Sequence, residues 1–390
     1  MNQPHSLLAR EHFAGTRQSL ECAETLPPWC YTSPEFFAIE TERLFSRVWN
    51  FLGHADRIAA PGDYFTTTVA ETSLLVVRGL DQTIRAFQNT CRHRGTLIAQ
   101  GEGNAEIFAC PYHSWTYDLA GRLRHAPHMD ETTFDKSSNG LKPVRLESWA
   151  GFMFVNLDAA APDLQSWLGD LPAVLAPYRF DDMFCARRRD YEVACNWKIY
   201  VENSKDAEHV GTVHRDSINR VSPSARIART VLAANGQYVN TFMQNAGSAS
   251  LLAGDRGFPP IPTLTGALAQ GTHAPLIYPG TYLGCTIDSA WYLNIVPLAA
   301  NRIRLETAGL FPRAVKTRPD FAEIAANYYR RWDTTAMEDN RICERQQAGL
   351  ESRLATAGRL SAREALVHQI DNWILDRLFE EPADNTPPLP

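Results

Sequence analysis

Four side chains in the first third of the chain, Cys91, His93, Cys110 and His113, stand in two short segments, CRH and CPYH, with sixteen residues between them. Each segment offers one thiolate and one imidazole, a donor set that holds metal. Structural zinc also accepts two Cys and two His, but its loops usually pair Cys with Cys and His with His, two or more residues apart. Mixed loops suit a cluster of two unlike irons, with both thiolates on one iron and both imidazoles on the other, so that each loop spans the cluster. Gly95, Gly101 and Gly103 supply bends between the loops, and Pro111 stiffens the second.

A second group of candidate ligands lies in VENSKDAEHVGTVH, residues 201–214. On a helix, Asp206 and His209 share a face, whereas His214 lies about 140° round from His209. An unbroken helix would point the imidazoles apart, so Gly211 is where the helix is expected to loosen. Two imidazoles and one carboxylate on one side of an Fe(II) leave positions open for dioxygen. Acids for that role occur in RRWDTTAMEDNRICERQQAGL, read as a helix with Tyr328, Trp332 and Ile342 on its apolar face. Asp333, Glu338 and Asp339 are the candidates there, although a lone acid on such a helix is ordinarily solvated.

The elements that must position these residues follow two patterns. Up to about Pro28 there is no periodicity; then Ser33, Pro34 and Glu35 open a helix predicted from Pro34 to Arg47, with Phe37, Thr41, Leu44, Phe45 and Val48 on one face. From Trp49 to Asn156 short alternating segments (LLVVR, TIRAFQN, EIFAC, WTYD, RLRH) predict an antiparallel β domain with the first four ligands at the tips of two loops. DAAAPD at 158–163 marks its exit. A short proline-broken helix at Trp167–Tyr178 and a strand feeding a helix at about Trp197 come next. Residues 225–310 alternate apolar and polar and predict a multistranded sheet under a cavity, with Phe242, Met243, Asn245 and Tyr282 as candidate pocket residues. The fold class is α+β: a small antiparallel β domain plus a helix-covered antiparallel-sheet catalytic domain. The divisions fall at 1–48 (an arm and helix packing on the catalytic domain), 49–160 and 161–390.

At 390 residues the chain is too long for a small electron carrier and suits about two domains. Net charge is −6, and the densest basic run is Arg187, Arg188 and Arg189, which gives no track for nucleic acid. No apolar stretch approaches the ~20 residues of a membrane-spanning helix, and the six further Cys form no paired framework, as in a reducing compartment. A cytoplasmic protein is expected.

CRHRG followed by CPYHSW, together with ENSKDAEHVGTVH, resembles the terminal oxygenase (alpha) subunit of Rieske non-haem iron oxygenases. The resemblance implies a Rieske 2Fe-2S cluster on Cys91, His93, Cys110 and His113, with Trp115 packed beside it, and a mononuclear Fe(II) on His209 and His214. EDNRICERQQ resembles the distal ligand helix of choline and carnitine monooxygenases, which makes Asp339 the carboxylate ligand ahead of Glu338 or Asp333. Asp206 takes the place of the acid that bridges the mononuclear site to a cluster His of a neighbouring subunit. Glu208 departs from the ring that aromatic relatives carry there. The implied activity is hydroxylation of a small aromatic or aryl-acid substrate, using O2 and electrons from NAD(P)H through a reductase or ferredoxin, in a homotrimer with no membrane or nucleic-acid partner. The alternatives are monooxygenation or demethylation of a quaternary or methylated amine, and a Rieske electron carrier without oxygenase activity; a zinc hydrolase is a third class, separable by colour.

Overall fold

The computed structural model describes residues 7–129, 133–221 and 229–380. It divides the chain into two compact units, Phe45–Leu164 and Met1–Leu44 with Gln165–Pro390. The first unit is built on a seven-stranded antiparallel sheet. Its strands lie in the order Asn50–His54, Phe152–Asn156, Pro143–Trp149, Ile84–Gln88, Thr72–Arg78, Asp63–Val69 and Glu102–Asn104. Period-two alternation makes this sheet two-sided. Leu74 and Val76 join Phe65, Met153 and Val155 in one core. Leu75 and Val77 join Phe87, Phe108, Trp115 and Tyr117 in the other, which also contains Cys91 and Cys110. A small three-stranded sheet, Ile107–Ala109, Thr116–Asp118 and Leu123–His125, carries the second ligand loop between its first two strands.

The second unit contains an eight-stranded antiparallel sheet. Seven strands follow in the order Met183–Val193, Arg302–Pro312, Ala290–Ala299, Thr281–Cys285, Gly271–His273, Tyr238–Gln244 and Arg229–Leu232, and Leu276–Ile277 pairs beside this path. Within residues 225–310, therefore, the predicted sheet is interrupted by irregular chain between Gln244 and Gly271, and residues 222–228 lie outside the described residues. The helix Phe321–Leu350 packs Ile324, Ala325, Tyr328 and Trp332 against Phe184, Phe311 and Trp291. Gly309 makes that approach possible, since a Cβ there would meet the Trp332 ring at 2.0 Å.

The N-terminal segment belongs to this second unit up to Leu44. Ser33 caps the helix as its spacing suggested, accepting from Phe36 N at 3.1 Å. The α-helix is Pro34–Glu40, followed by a π-helical turn at Thr41–Phe45, so it stops short of the predicted Arg47. Its buried face is Phe36, Ile39 and Glu40 rather than Phe37. The reason is electrostatic: Glu40 meets Lys198 at 2.6 Å with both side chains fully buried, and Trp197 Nε1 donates to the other oxygen at 3.1 Å. A buried pair of this kind fixes the rotation of the helix, because neither charge tolerates being left alone. Among the described residues no helix is long and apolar enough to cross a membrane.

Candidate metal centres

The two ligand loops of the first unit repeat one backbone design. Cys91 N donates to Thr96 O and Gly95 N returns to Cys91 O; likewise Cys110 N donates to Trp115 O and Ser114 N returns to Cys110 O. The fourth residue after each Cys is left-handed, Gly95 at φ 78° and Ser114 at φ 56°. Both thiols are 3 % exposed, while His93 is exposed and His113 half-buried. The imidazoles come together with Nδ1 atoms 3.2 Å apart, and His93 stacks on Trp115 at 4.9 Å and 8°. Tyr117 Oη lies 3.4 Å from Cys91 Sγ and accepts from Arg92 N at 3.0 Å; burial, then the Cys91 contact, pushes this phenol up. Burial and the neighbouring His93 and Arg94 push the His113 imidazole down, towards the neutral form that can ligate. The donor set therefore has soft sulfur inward and imidazole outward, which suits a cluster with unlike ends.

Among the described residues, the group of three or more His, Cys, Asp or Glu whose ligand atoms lie within 4.8 Å of one another is His209, His214 and Asp339. Asp339 Oδ1 is 3.1 Å from His214 Nε2 and 3.6 Å from His209 Nε2. It also accepts from Asn203 Nδ2 at 2.9 Å. Burial alone would raise Asp339, yet the two imidazoles beside it hold it well below the usual carboxylate range. Behind each imidazole stands another acid. His214 Nδ1 donates to Glu338 Oε2 at 2.7 Å, an oxygen that also accepts from Ser217 Oγ at 2.6 Å. His209 Nδ1 is 3.5 Å from Asp206 Oδ2. Although burial pulls His209 down, Asp206 and Asp339 bring it up to about 9. Glu338 thus faces the Nδ1 side of His214 while Asp339 joins the two Nε2 atoms, and Asp333 is elsewhere, bound by Arg187 and Arg189 at 2.7 Å each.

The local chain achieves this by breaking earlier than its spacing suggested. The helix Trp197–Lys205, capped by Asn196, ends when Asp206 turns extended (φ −71°, ψ 120°). A 3-10 turn, Glu208–Gly211, then carries His209. The break falls at Asp206 and not at Gly211, because the Asp206 carboxylate accepts from Glu208 N at 2.7 Å and competes with helical bonding. Asp206 and His209 consequently do not share a helical face; they meet across a turn.

These residues open on a cavity of about 470 Å³. Met243, Asn245 and Tyr282 line it, with Trp291 and Trp332 completing an aromatic wall. Phe242 does not. Alternation along Tyr238–Gln244 sends Thr241 and Met243 into the cavity and Phe242 to the other face, where its ring lies 4.9 Å from His273.

Residues 48–148 match the Rieske 2Fe-2S domain family, and residues 180–380 match the ring hydroxylating alpha subunit (catalytic domain) family. The chain belongs to the Rieske ring-hydroxylating oxygenase alpha subunits. It is 30 % identical to the glycine betaine monooxygenase oxygenase subunit of Chromohalobacter salexigens over 88 % of this chain and 83 % of that one. It is 38 % identical to the benzene 1,2-dioxygenase alpha subunit of Pseudomonas putida over 49 % and 44 %. Among solved structures, a quaternary ammonium Rieske monooxygenase involved in carnitine oxidation matches with TM-score 0.79 and 24 % identity over 95 % of this chain and 98 % of that one, a likeness of fold.

A Rieske oxygenase uses a 2Fe-2S cluster and a mononuclear iron, and both donor sets described above fit those groups in ligand type and arrangement. Sequence reasoning missed the supporting residues of this oxygenase. Asn203 was visible as part of ENSKDAEHVGTVH, but only the fold reveals that it holds Asp339. Glu338 stood as a rival ligand, and its position against His214 Nδ1 had no signal in spacing alone. Trp291 and Trp332 read simply as core aromatics.

Proposed function

We propose that this chain is the terminal oxygenase of a system that oxidises a methylated or quaternary amine. The reading rests on one observation above others: the Tyr282 and Trp332 rings wall the same cavity onto which His209, His214 and Asp339 open, and aromatic walls attract alkylammonium groups. The relative matched over most of both chains acts on glycine betaine, whereas the arene dioxygenase matches over about half. These findings favour the amine over the aromatic substrate that the opening motifs suggested.

Cys91, His93, Cys110 and His113 would hold the cluster, and His209, His214 and Asp339 the iron. When bound, the cluster supplies single electrons and the iron activates dioxygen beside the substrate. The chain's own residues do the rest. Glu338 accepts from His214 Nδ1, and Asp206 faces His209 Nδ1 at 3.5 Å; an acid on that side of each ring favours the tautomer that leaves Nε2 free to ligate. Asn203 holds Asp339 Oδ1 in place. Asp206 keeps 27 % of its side chain exposed, enough to accept from a cluster histidine of a neighbouring subunit in a head-to-tail trimer. In that role it orients His209 and couples proton position to electron arrival. We take 49–160 as the Rieske domain and 161–390 as the catalytic domain, with 1–48 packed on the latter, and a reductase or ferredoxin as donor.

The test is product analysis of the reduced protein, with a donor, against methylated amines, arenes and aryl acids. Oxygen-dependent turnover of the amines is expected. Turnover confined to arenes would overturn the amine reading, and uptake of electrons with no turnover of any class would favour the carrier.

A further inference from the structure

Among the described residues, Arg331 is a cation of the cavity wall that forms no ion pair. It stands on the helix Phe321–Leu350, is 7 % exposed and lines the cavity shared by His209, His214 and Asp339. Its buried Nε has no acceptor among those residues. Its remaining contacts are weak: Nη1 donates to Thr335 Oγ1 at 3.4 Å, and the guanidinium lies 4.8 Å from the centre of the Trp291 ring. The other cations of the wall have close partners, acids for the three arginines and a carbonyl for the lysine. Arg187 and Arg189 share Asp333, Arg363 meets Glu208 at 2.8 Å, and Lys205 donates to Ala274 O at 2.6 Å. Burial pushes the Arg331 guanidinium down to about 10 against the opposing pull of Tyr282, Asp339 and Glu338, so it stays charged near neutrality. A buried, charged planar fork with free donors is the chemistry that recognises a carboxylate.

We propose that Arg331 is the anion-recognition residue of the substrate cavity, and that the substrate is a zwitterion whose carboxylate pairs with Arg331 while its methylated ammonium end lies towards His209, His214 and Asp339. The ammonium half of this statement rests on the amine reading above; the carboxylate half does not. Two further observations agree with it. The cavity is polar along its length, with the acids Asp206 and Asp339 at the histidine end and Arg331 eight residues up the helix from Asp339, about 12 Å along the axis. Trp291 already carries the Arg331 cation over its ring, which disfavours a second cation at that end and makes a purely cationic alcohol a poor fit. A carboxylate several bonds from the reacting methyl group spans this arrangement better than one beside it.

Calorimetric titration of the iron-loaded protein with trimethylammonio carboxylates of increasing chain length, each paired with the matching alcohol, tests the proposal. The carboxylates are expected to bind at least about tenfold tighter than the alcohols, as for a charged group that keeps its partner. Arg331→Met should erase that preference, Arg331→Lys should keep part of it, and in turnover the loss should fall on KM more than on kcat. Iron content and the visible spectrum of the cluster establish that the variants are folded; if Arg331→Met does not fold, the wild-type pairs and Arg331→Lys decide. Equal affinity for carboxylate and alcohol, or an Arg331→Met loss shared equally by both, would overturn the role of Arg331. Should no methylated amine bind while aryl acids bind in an Arg331-dependent way, the carboxylate assignment stands and the amine reading falls.

Discussion

Asp206 and Glu338 stand behind the two imidazoles at unequal distances, 3.5 Å from His209 and 2.7 Å from His214. That inequality predicts different consequences of losing them. Glu338→Ala leaves His214 without its orienting acceptor, and iron affinity should fall by about 10–100-fold; dialysis against a graded chelator reads this directly, and unchanged retention would contradict it. Asp206→Ala removes a looser contact, so the variant should keep its iron yet lose turnover by at least about tenfold. Normal turnover in that variant would take Asp206 out of the mechanism. The ligands themselves were legible because Cys, His and Asp are costly residue types whose spacing is constrained by the metal. Their supports were not, because Asn203 and Ser217 are ordinary polar residues until the fold places them beside an acid. Arg331 was silent for the same reason: in sequence it is one more basic residue on an amphipathic helix.

The elements were legible where a local pattern decides them and obscure where a distant contact does. Ser33 and Pro34 announce a helix start, and LLVVR announces a strand. The end of the same helix at Glu40 is set by Lys198, more than 150 residues away in sequence, which no window of sequence contains. The pair is a strong test of this account. Lys198→Met would leave Glu40 buried without its cation, at a cost of about 3–5 kcal/mol, and thermal unfolding should show it. A loss below about 1 kcal/mol would mean that Glu40 is held by Trp197 alone. The break at Asp206 has a similar origin, since its carboxylate bonds to Glu208 N and ends a helix that the spacing alone carried on to Gly211. Close packing of helix on sheet depends on Gly309; Gly309→Ala drives a methyl into the Trp332 ring and should cost about 1–3 kcal/mol by overpacking.

For the molecule as a whole, stability in acid should depend on His273. Its ring is 5 % exposed and accepts at Nδ1 from Asn240 Nδ2 at 3.1 Å, and burial pushes it down from 6.5 to about 4. The unfolded chain therefore takes up this proton first; stability is full above pH 6.5 and falls as pH drops towards 4. His273→Gln should flatten that part of the profile by up to about 3 kcal/mol, and an unchanged slope would show that other groups set it. The claim on which everything else depends is that one polypeptide holds two separate iron centres on two separate sets of side chains. Iron per chain, measured together with the visible spectrum for the wild type and for a His209→Ala, His214→Ala double variant, tests it most directly. The account predicts about three irons per chain for the wild type, two for the double variant, and the reddish-brown cluster spectrum in both. A double variant that keeps all its iron, or a wild type with only the cluster's two, would contradict it.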